Sequence, residues 1–463
     1  MKYISTRGSA PELNFENTML TGLARDGGLY VPKSIPKFSK KDIRCMAELS
    51  YEEIAFRIML PFMGACFSEE EFFEIVQRSY ADFGHAARAP LVQLESNHFL
   101  LELFHGPTLA FKDFAMQLIG QMFQVTLRKR GQRVTIVGAT SGDTGSAAIE
   151  AFRGLDAVDV FILYPHGRVS EVQRRQMTTT KEDNVHALAV DGHFDDCQAR
   201  LKDMFNDFDF RDSVRLAGIN SINWARVLAQ IVYYFSSAVS LGAPDRRVSF
   251  TIPTGNFGDV FAGYIAKRMG LPIDQLLVAT NQNDILHRCL SIGKYKKQSV
   301  LASLSPSMDI QVSSNFERAL FDACNRDSKA VFLMMKELAR NGGFSLSQEV
   351  VKNLLKHFKS GSVSEDETLQ TIKRNFKKTG ELLCPHTAIG VNVAEKNRFP
   401  EIPMISLATA HPAKFPDAVE KASNIRPALP DRLADLYERS ERLTRVENDL
   451  IKLEEIIKER IKA

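Results

Sequence analysis

Short apolar segments of strand length alternate with helix-like segments along most of the chain. A β-rich run at 134–137 is followed by a glycine-rich turn and then by a helix start of small residues at Ser146. Further apolar runs of strand length lie at 158–163, 185–190, 248–252, 276–279 and 404–407. Strands that alternate with helices are typical of βαβ units with parallel strands. The sequence therefore predicts an α/β fold with mostly parallel sheets flanked by helices.

Two of these strands are followed by turns of similar chemistry. Residues 138–145 read GATSGDTG, and residues 253–259 read PTGNFGD. Glycines let backbone N–H groups approach a ligand, and the helix that follows adds unpaired N–H groups and the positive end of its dipole. Each turn can therefore hold a phosphate or a carboxylate without a basic side chain. The alternative for each is a tight turn in which Asp143 or Asp259 caps the helix.

Neither turn matches a nucleotide-binding fingerprint. The chain contains no GxxxxGK[ST] motif, and no GxGxxG motif followed by an acidic residue at the right distance. These differences disfavour a P-loop NTPase and weaken a dinucleotide-binding interpretation. A nucleotide-dependent transferase would fit two anion-binding turns, but it would leave the lysine described next without a role.

Lys112 lies in otherwise apolar sequence, beside Leu109, Phe111 and Phe114. Burial would lower the pKa of its ammonium group, and the neutral amine would be a nucleophile toward carbonyl carbons. The alternative is a surface lysine that reaches water beside Asp113. A Schiff-base lysine, a phosphate cradle and a second anion cradle are together what pyridoxal phosphate needs to act on an amino acid. We therefore predict pyridoxal 5′-phosphate as the cofactor.

Composition excludes several classes of protein. The 463-residue chain has 59 Lys and Arg against 56 Asp and Glu, a net charge of +3 that lacks the basic excess of nucleic-acid-binding proteins. No segment approaches the ~20 apolar residues of a membrane span, and residues 1–30 lack the apolar core of a secretory signal. The six cysteines are scattered without metal-ligand spacing. We expect free thiols, no metal site, no membrane or nucleic-acid partner, and a cytoplasmic protein.

Beyond these local signals, nine segments carry a wider resemblance: residues 22–32, 105–114, 141–145, 172–177, 255–259, 280–286, 313–318, 385–388 and 409–415. In these segments the chain resembles the threonine synthase family of bacteria and fungi. The resemblance implies a fold type II pyridoxal-phosphate enzyme, similar to the tryptophan synthase β chain, with the cofactor between two α/β lobes. We expect an N-terminal domain at 1–95, lobes at 96–225 and 226–425, and a C-terminal helix at 426–463.

The resemblance also implies roles for particular residues. Lys112 would form the Schiff base, and Thr409 would offer its hydroxyl to the pyridine nitrogen. The cofactor phosphate would be held by Gly255, Asn256, Phe257, Gly258 and Asp259. The substrate carboxylate would be received near the cofactor 3′-oxygen by Ser141, Gly142, Asp143, Thr144 and Gly145. Asp143 would in addition tune the charge of the cofactor.

The implied reaction converts O-phospho-L-homoserine and water into L-threonine and phosphate, by γ-elimination followed by β-addition of water. Lys112 would be the general base, since it lies beside every carbon involved. The substrate phosphate needs a cationic pocket, for which the candidates are Arg174, Arg175, Arg318 and Lys414. Candidate proton carriers, with packed side chains as the alternative, are His105, His386 and His411. We expect a monomer or a weak homo-oligomer.

Two other functions stay open on the sequence alone. One is another fold type II enzyme, such as a cysteine synthase or a serine/threonine dehydratase, and the other is a non-catalytic relative of the fold. Among the less regular segments, a helical period covers 51–83, and residues 359–378 are polar enough for a helical surface insertion. Leucine or isoleucine at 436, 443, 450 and 457 predicts one long amphipathic helix docked on the surface.

Overall fold

The computed structural model describes residues 1–462, which form two large sheets and two small ones. The strands are β1 (Tyr3–Ser5), β2 (Tyr30–Pro32), β3 (Leu91–Glu95), β4 (His98–Glu102), β5 (Val134–Ala139), β6 (Val158–Pro165), β7 (Val185–Val190), β8 (Leu216–Ala217), β9 (Val248–Pro253), β10 (Ile273–Thr280), β11 (Lys294–Lys296), β12 (Gly343–Ser345), β13 (Phe358–Ser362), β14 (Met404–Ala408) and β15 (Thr444–Val446).

The α-helices are α1 (Phe15–Thr21), α2 (Lys40–Arg44), α3 (Tyr51–Met63), α4 (Glu69–Tyr80), α5 (Lys112–Arg130), α6 (Asp143–Phe152), α7 (Glu171–Thr178), α8 (Phe194–Asn206), α9 (Phe208–Ser213), α10 (Trp224–Ser240), α11 (Gly258–Arg268), α12 (Ile285–Ile292), α13 (Phe316–Ala323), α14 (Ser328–Asn341), α15 (Gln348–Leu355), α16 (Glu365–Thr379), α17 (Pro385–Asn397), α18 (Pro416–Ser423) and α19 (Leu450–Arg460). Short 3₁₀ helices lie at Cys45–Glu48, Pro306–Met308, Pro412–Lys414 and Asp431–Tyr437.

The two large sheets confirm the predicted α/β class with mostly parallel strands. The six-stranded sheet has the order β13-β10-β9-β14-β4-β3, and only the β3–β4 pair is antiparallel. The five-stranded sheet has the order β15-β7-β6-β5-β8 and is parallel throughout. Helix α8 packs on β5 and β6, and α17 packs on β9 and β14. All six predicted strands are present.

Helix α10 contacts α3, α5 and α11 and is buried over nearly its whole length. A helix that is apolar all round belongs inside a protein, because no face of it gains from contact with water. Trp224 at its start is fully buried and packs against Tyr3 and Phe62 of the N-terminal segment. The core therefore joins the N-terminal segment to the helices that carry the two predicted loops and Lys112.

Arg318 fastens the N-terminal segment to the rest of the chain. Its guanidinium is fully buried and donates to the carbonyl oxygens of Tyr30 and Ile222, at 2.9 and 2.6 Å, and to Asn315 Oδ1. Burial lowers the pKa of Arg318 to about 9. Because every buried N–H that loses its acceptor costs free energy, these carbonyls fix the position of β2 relative to α13.

Two predicted elements differ from the structure. Residues 359–378 contain the predicted helix, as α16, but they are not a surface insertion, because β13 is an edge strand of the six-stranded sheet and α16 packs on α17 and α18. The C-terminal residues do not form one long helix. The 3₁₀ helix Asp431–Tyr437 is followed by β15, which pairs in parallel with β7, and only then by the 11-residue α19. Thus Leu436 and Leu450 lie in different elements.

The helical period at 51–83 corresponds to two helices, α3 and α4, since Gly64 ends the first with a positive φ. The predicted boundary at residue 95 falls between β3 and β4, both of which belong to the six-stranded sheet. The four-part division of the chain stays a prediction. No helix among residues 1–462 is both long enough and apolar enough to cross a membrane. All six cysteines are free thiols.

Candidate functional site

A cavity of 860 Å³ opens between the two large sheets. Both glycine-rich loops line it, and so do Lys112, Arg226, His386 and Thr409. The loops follow β5 and β9, so they lie at the carboxyl ends of parallel strands, which is where ligands bind in open α/β sheets. The structure thus brings together the three features that the sequence singled out.

Lys112 is the first residue of α5, and the residue is 8% exposed. The loop before it is held by Asp113, whose carboxylate accepts hydrogen bonds from Thr108 N at 2.8 Å and Thr108 Oγ1 at 2.6 Å. Lys112 Nζ lies 3.2 Å from Asp143 Oδ2 and 5.0 Å from the centre of the Phe111 ring. Burial lowers the pKa of Lys112, although Asp143 opposes the shift. The amine is therefore closer to its nucleophilic form than a surface lysine.

Asp143 contacts two buried lysines. Its Oδ2 faces Lys112, while its Oδ1 lies 3.0 Å from Lys414 Nζ and accepts a hydrogen bond from Gln173 Nε2 at 2.8 Å. Burial alone would raise the pKa of Asp143, but the two lysine ammonium groups hold it well below its usual range. Asp143 does not cap α6, because the N-cap residue is Gly142.

Thr140 shapes the first loop from within. Its buried Oγ1 accepts hydrogen bonds from the N–H groups of Gly142 and Gly145, both at 2.9 Å. Gly142 has φ +136°, and a Cβ there would lie 2.3 Å from Cδ of Gln173. In the described chain the N–H groups of Ser141, Asp143 and Thr144 donate to no protein acceptor. This loop therefore offers three free N–H groups at the start of α6.

The second loop is held through its carbonyl groups. Ser313 Oγ donates to the Gly255 carbonyl at 2.7 Å, and Asn315 donates from both its backbone N and its Nδ2 to the Asn256 carbonyl at 3.0 Å. These bonds fix the backbone of the loop. The N–H groups at 255–259 have no acceptor among residues 1–462. They are free to bind an anion in the cavity at the start of α11.

Asp259 points away from this loop. Its Oδ1 accepts hydrogen bonds from the hydroxyls of Tyr233 and Tyr234, at 2.6 and 2.8 Å, so it neither caps α11 nor faces an anion. Burial raises its pKa to about 6. Phe257, the N-cap residue, has φ +62° and packs its ring against Phe316 and Phe358. Packing of that ring compensates for a backbone conformation that non-glycine residues rarely adopt.

The sequence leaves four candidate cations for the substrate phosphate, and their role in binding it stays a prediction. None of the four predicted cations lines the cavity: Arg174 and Arg175 face Glu171 and Glu441, Arg318 binds carbonyl groups, and Lys414 contacts Asp143. The cationic side chains that do line it are Lys112, Lys202, Arg226 and Lys297. Sequence reasoning missed Arg226, although a lone arginine in the apolar helix α10 is itself a signal of function or pairing.

Of the three candidate histidines, one lines the cavity and two do not. His105 hydrogen-bonds Glu102 at 2.7 Å, and His411 accepts from Ala413 N at 3.1 Å; neither lines the cavity. His386 does line it, and both of its ring nitrogens are buried without a hydrogen-bond partner in the described chain. Burial lowers the pKa of His386 to about 4, so the ring is neutral near pH 7. Its two unpaired nitrogens are a polar surface that a ligand can satisfy.

These residues fit the cofactor that the sequence predicts. A buried amine, a row of free N–H groups at a helix start and a second such row face one cavity. The Thr409 hydroxyl, also in the cavity wall, donates no hydrogen bond to the described chain, while its carbonyl anchors Phe111 N at 2.9 Å. No cluster of three or more potential metal ligands occurs within residues 1–462.

Comparisons with known proteins cover nearly the whole chain. The family models that match are "Threonine synthase N terminus" at residues 2–80, "Pyridoxal-phosphate dependent enzyme" at 83–354 and "Threonine synthase, C-terminal" at 387–457. A threonine synthase from Pseudomonas aeruginosa is 55% identical over 99% of this chain and 98% of its own. The crystal structure of a pyridoxal-phosphate-bound threonine synthase from Brucella melitensis is 55% identical, covers 100% of both chains and has a TM-score of 0.98. That of yeast threonine synthase is 41% identical, covers 99% of this chain and 98% of its own, and has a TM-score of 0.94.

Proposed function

Because the chain belongs to the threonine synthase family of pyridoxal-phosphate-dependent enzymes, we propose that it converts O-phospho-L-homoserine and water into L-threonine and phosphate. The observation that carries the proposal is the placement of Lys112. Its buried amine faces a cavity bordered by two loops whose N–H groups are free. One loop suits the phosphate of the cofactor, and the other suits the carboxylate of an amino acid.

In the proposed holoenzyme, Lys112 carries the cofactor, and the N–H groups from Gly255 to Asp259 hold its phosphate. Thr409 offers its hydroxyl to the ring nitrogen. A neutral hydroxyl cannot hold that nitrogen protonated as a carboxylate would, which moderates the electron demand of the ring. Pyridoxal phosphate, when bound, supplies a conjugated system that stabilises negative charge developing on the carbon atoms of the amino acid.

The residues of the first loop bind and orient the substrate. The free N–H groups of Ser141, Asp143 and Thr144 suit the carboxylate oxygens, and Thr140 keeps these groups aligned. Lys112, once released, moves the protons: its amine takes a proton from Cα and from Cβ, returns one to Cγ and, after water has added, returns one to Cα. The C–O bond at Cγ breaks as phosphate leaves, the hydroxyl of water adds at Cβ, and the remaining proton of that water goes to the phosphate. Arg226 and Lys297, both in the cavity wall, are the cations we assign to the leaving phosphate.

We place the enzyme in the cytoplasm, with a small-molecule substrate, no nucleic-acid or membrane partner, and a monomeric or weakly homo-oligomeric state. The near-neutral charge and the free cysteines support this assignment. Size-exclusion chromatography with light scattering would test the oligomeric state directly.

The test of the reaction is to incubate the purified, cofactor-loaded protein with O-phospho-L-homoserine and to measure inorganic phosphate and threonine. Equal amounts of the two products are expected. L-Serine in a parallel incubation distinguishes the fold type II dehydratases, which would release pyruvate. Pyruvate from serine together with no phosphate release would refute the proposal.

The cofactor lysine is tested with Lys112→Ala. This variant is expected to lose the Schiff-base absorbance band of the wild type and the formation of threonine, because it lacks the buried amine that would bind the cofactor. Circular dichroism controls for folding. A folded Lys112→Ala protein that keeps the band would show that the cofactor is attached elsewhere.

A further inference from the structure

Lys414 is a fully buried lysine with no role in the reaction described above. It lies in the 3₁₀ helix Pro412–Lys414, directly after the segment that carries Thr409, and does not line the cavity. Its Nζ lies 3.0 Å from Asp143 Oδ1 and donates to the Thr108 carbonyl at 2.8 Å. A lysine is rarely buried without a partner. These two contacts are the partners that compensate the buried ammonium group of Lys414.

Asp143 therefore lies between two cations, one on each oxygen. The two cations, Lys112 and Lys414, have different roles in the proposed reaction. Bond formation between the Lys112 nitrogen and the cofactor aldehyde would start from the neutral amine and expel water, and the nitrogen can take up a proton again afterwards, so the positive charge that Lys112 presents to Asp143 changes during the reaction. A buried carboxylate that loses its only cation is strongly destabilised. Lys414 stays in place because it binds Thr108 and Asp143 behind the cavity wall.

We propose that Lys414 is a positioning residue, whose ammonium group keeps the Asp143 carboxylate charged and in place while Lys112 exchanges its proton for the cofactor. This inference rests on the proposed role of Lys112. It goes beyond that role by assigning the charge balance of the site to a residue outside the cavity. The Asp143 carboxylate then keeps its negative charge beside the Lys112 nitrogen throughout the reaction.

The electrostatic consequence can be measured at the Lys112 nitrogen. The charged or titratable groups that face it are Asp143, Lys414, Arg226, His386 and Asp259. Removing the positive charge of Lys414 leaves the negative charge of Asp143 less compensated, so a proton on the Lys112 nitrogen is held more tightly. A nearby charge of this kind shifts a pKa by about one unit or more.

The experiment compares two variants of the cofactor-loaded enzyme, Lys414→Gln and Lys414→Arg, by titrating the absorbance band of the lysine-bound cofactor against pH. The glutamine retains a donor for the Thr108 carbonyl but carries no charge, whereas the arginine retains the charge. We expect the titration midpoint to rise by about 1 pH unit in Lys414→Gln and to stay near the wild-type value in Lys414→Arg. Equal midpoints in wild type and Lys414→Gln, or equal shifts in both variants, would overturn the proposal.

A second comparison does not depend on the cofactor. Asp143→Asn leaves the charge of Lys414 buried and unpaired, so adding Lys414→Gln to it is expected to raise the urea midpoint of the cofactor-free protein. If the double variant is less stable than Asp143→Asn alone, Lys414 serves only the Thr108 carbonyl and the proposal falls. A missing absorbance band in wild type, by contrast, would refute the proposed role of Lys112, while this comparison would still decide whether Lys414 and Asp143 are coupled.

Discussion

The hydroxyl of Thr140 holds two backbone N–H groups of the first loop, and its replacement by the isosteric valine tests how much that loop depends on it. In Thr140→Val the N–H groups of Gly142 and Gly145 lose their acceptor and stay buried. An unsatisfied buried donor costs about 1–3 kcal/mol, so the pair is expected to lower the free energy of unfolding by about 3 kcal/mol.

A matched control exists at the corresponding position of the second loop. Thr254 is also buried, but its Oγ1 only donates, to the Ile252 carbonyl at 2.6 Å, and it holds no N–H group. Thr254→Val is therefore expected to cost about 1 kcal/mol, the net contribution of one hydrogen bond. Urea unfolding of both cofactor-free variants, followed by circular dichroism, measures the difference.

The Thr140→Val variant should also affect catalysis and cofactor binding differently. Because the first loop is assigned to the substrate carboxylate, Thr140→Val is expected to lower kcat/KM for O-phospho-L-homoserine while the affinity for pyridoxal phosphate stays close to that of wild type. The reasoning is refuted if Thr140→Val and Thr254→Val unfold within about 1 kcal/mol of each other, or if Thr140→Val loses cofactor affinity and retains kcat/KM.

Two further changes probe the second loop. Folding raises the pKa of Asp259 from 3.8 to about 6, so the stability that its protonated form gives is fully present below about pH 4 and is lost as the pH rises through 6. Asp259→Asn cannot ionise, so its free energy of unfolding is expected to rise relative to that of wild type as the pH increases across that window. Urea unfolding measures this, and a difference between the two proteins that does not change with pH would contradict it. In Gly255→Ala, the new Cβ would lie 2.6 Å from the Ser307 carbonyl oxygen, and we expect at least about tenfold weaker binding of pyridoxal phosphate by fluorescence titration. Gly342→Ala is the control: no atom lies within 4 Å of its Cβ, and its φ is +70°, so it should lose stability through backbone strain and keep cofactor affinity.

The central strands could be predicted because their signal is local. Apolar β-rich runs such as Val158–Pro165 are buried on both faces, which makes them readable without knowing their neighbours. Strand β13 has the sequence FKSGS and lies at an edge, so it lacks that signal, and a Cβ at Gly361 within it would lie only 3.0 Å from Cγ2 of Val393 in α17. β15 consists of three residues and pairs with a strand about 250 positions earlier; no pattern within its own segment reveals such a partner.

The same distinction between local and distant information applies to the site. Lys112 and the two loops are contiguous motifs, and the structure places all of them on one cavity. Lys414 is one of four sequence candidates for the substrate phosphate, because the sequence shows its charge but not that Asp143 Oδ1 lies 3.0 Å from its Nζ. The ion pairs of Arg174 and Arg175 are hidden for a similar reason, because Glu441, which faces both, is more than 260 residues distant.

The buried guanidinium of Arg318 has a consequence for how such a chain can be taken apart. Two of its acceptors are the carbonyl groups of Tyr30 and Ile222. In the sequence, Tyr30 precedes the helix that begins at Lys112 and belongs to the N-terminal segment, whereas Ile222 follows that helix. A fragment lacking residues 1–80 would leave that cation without the Tyr30 carbonyl, and a hydrogen bond to a charged group contributes about 1.5–3 kcal/mol. Removal of the N-terminal segment is therefore expected to destabilise the rest of the chain, because part of the coordination of a buried cation goes with it.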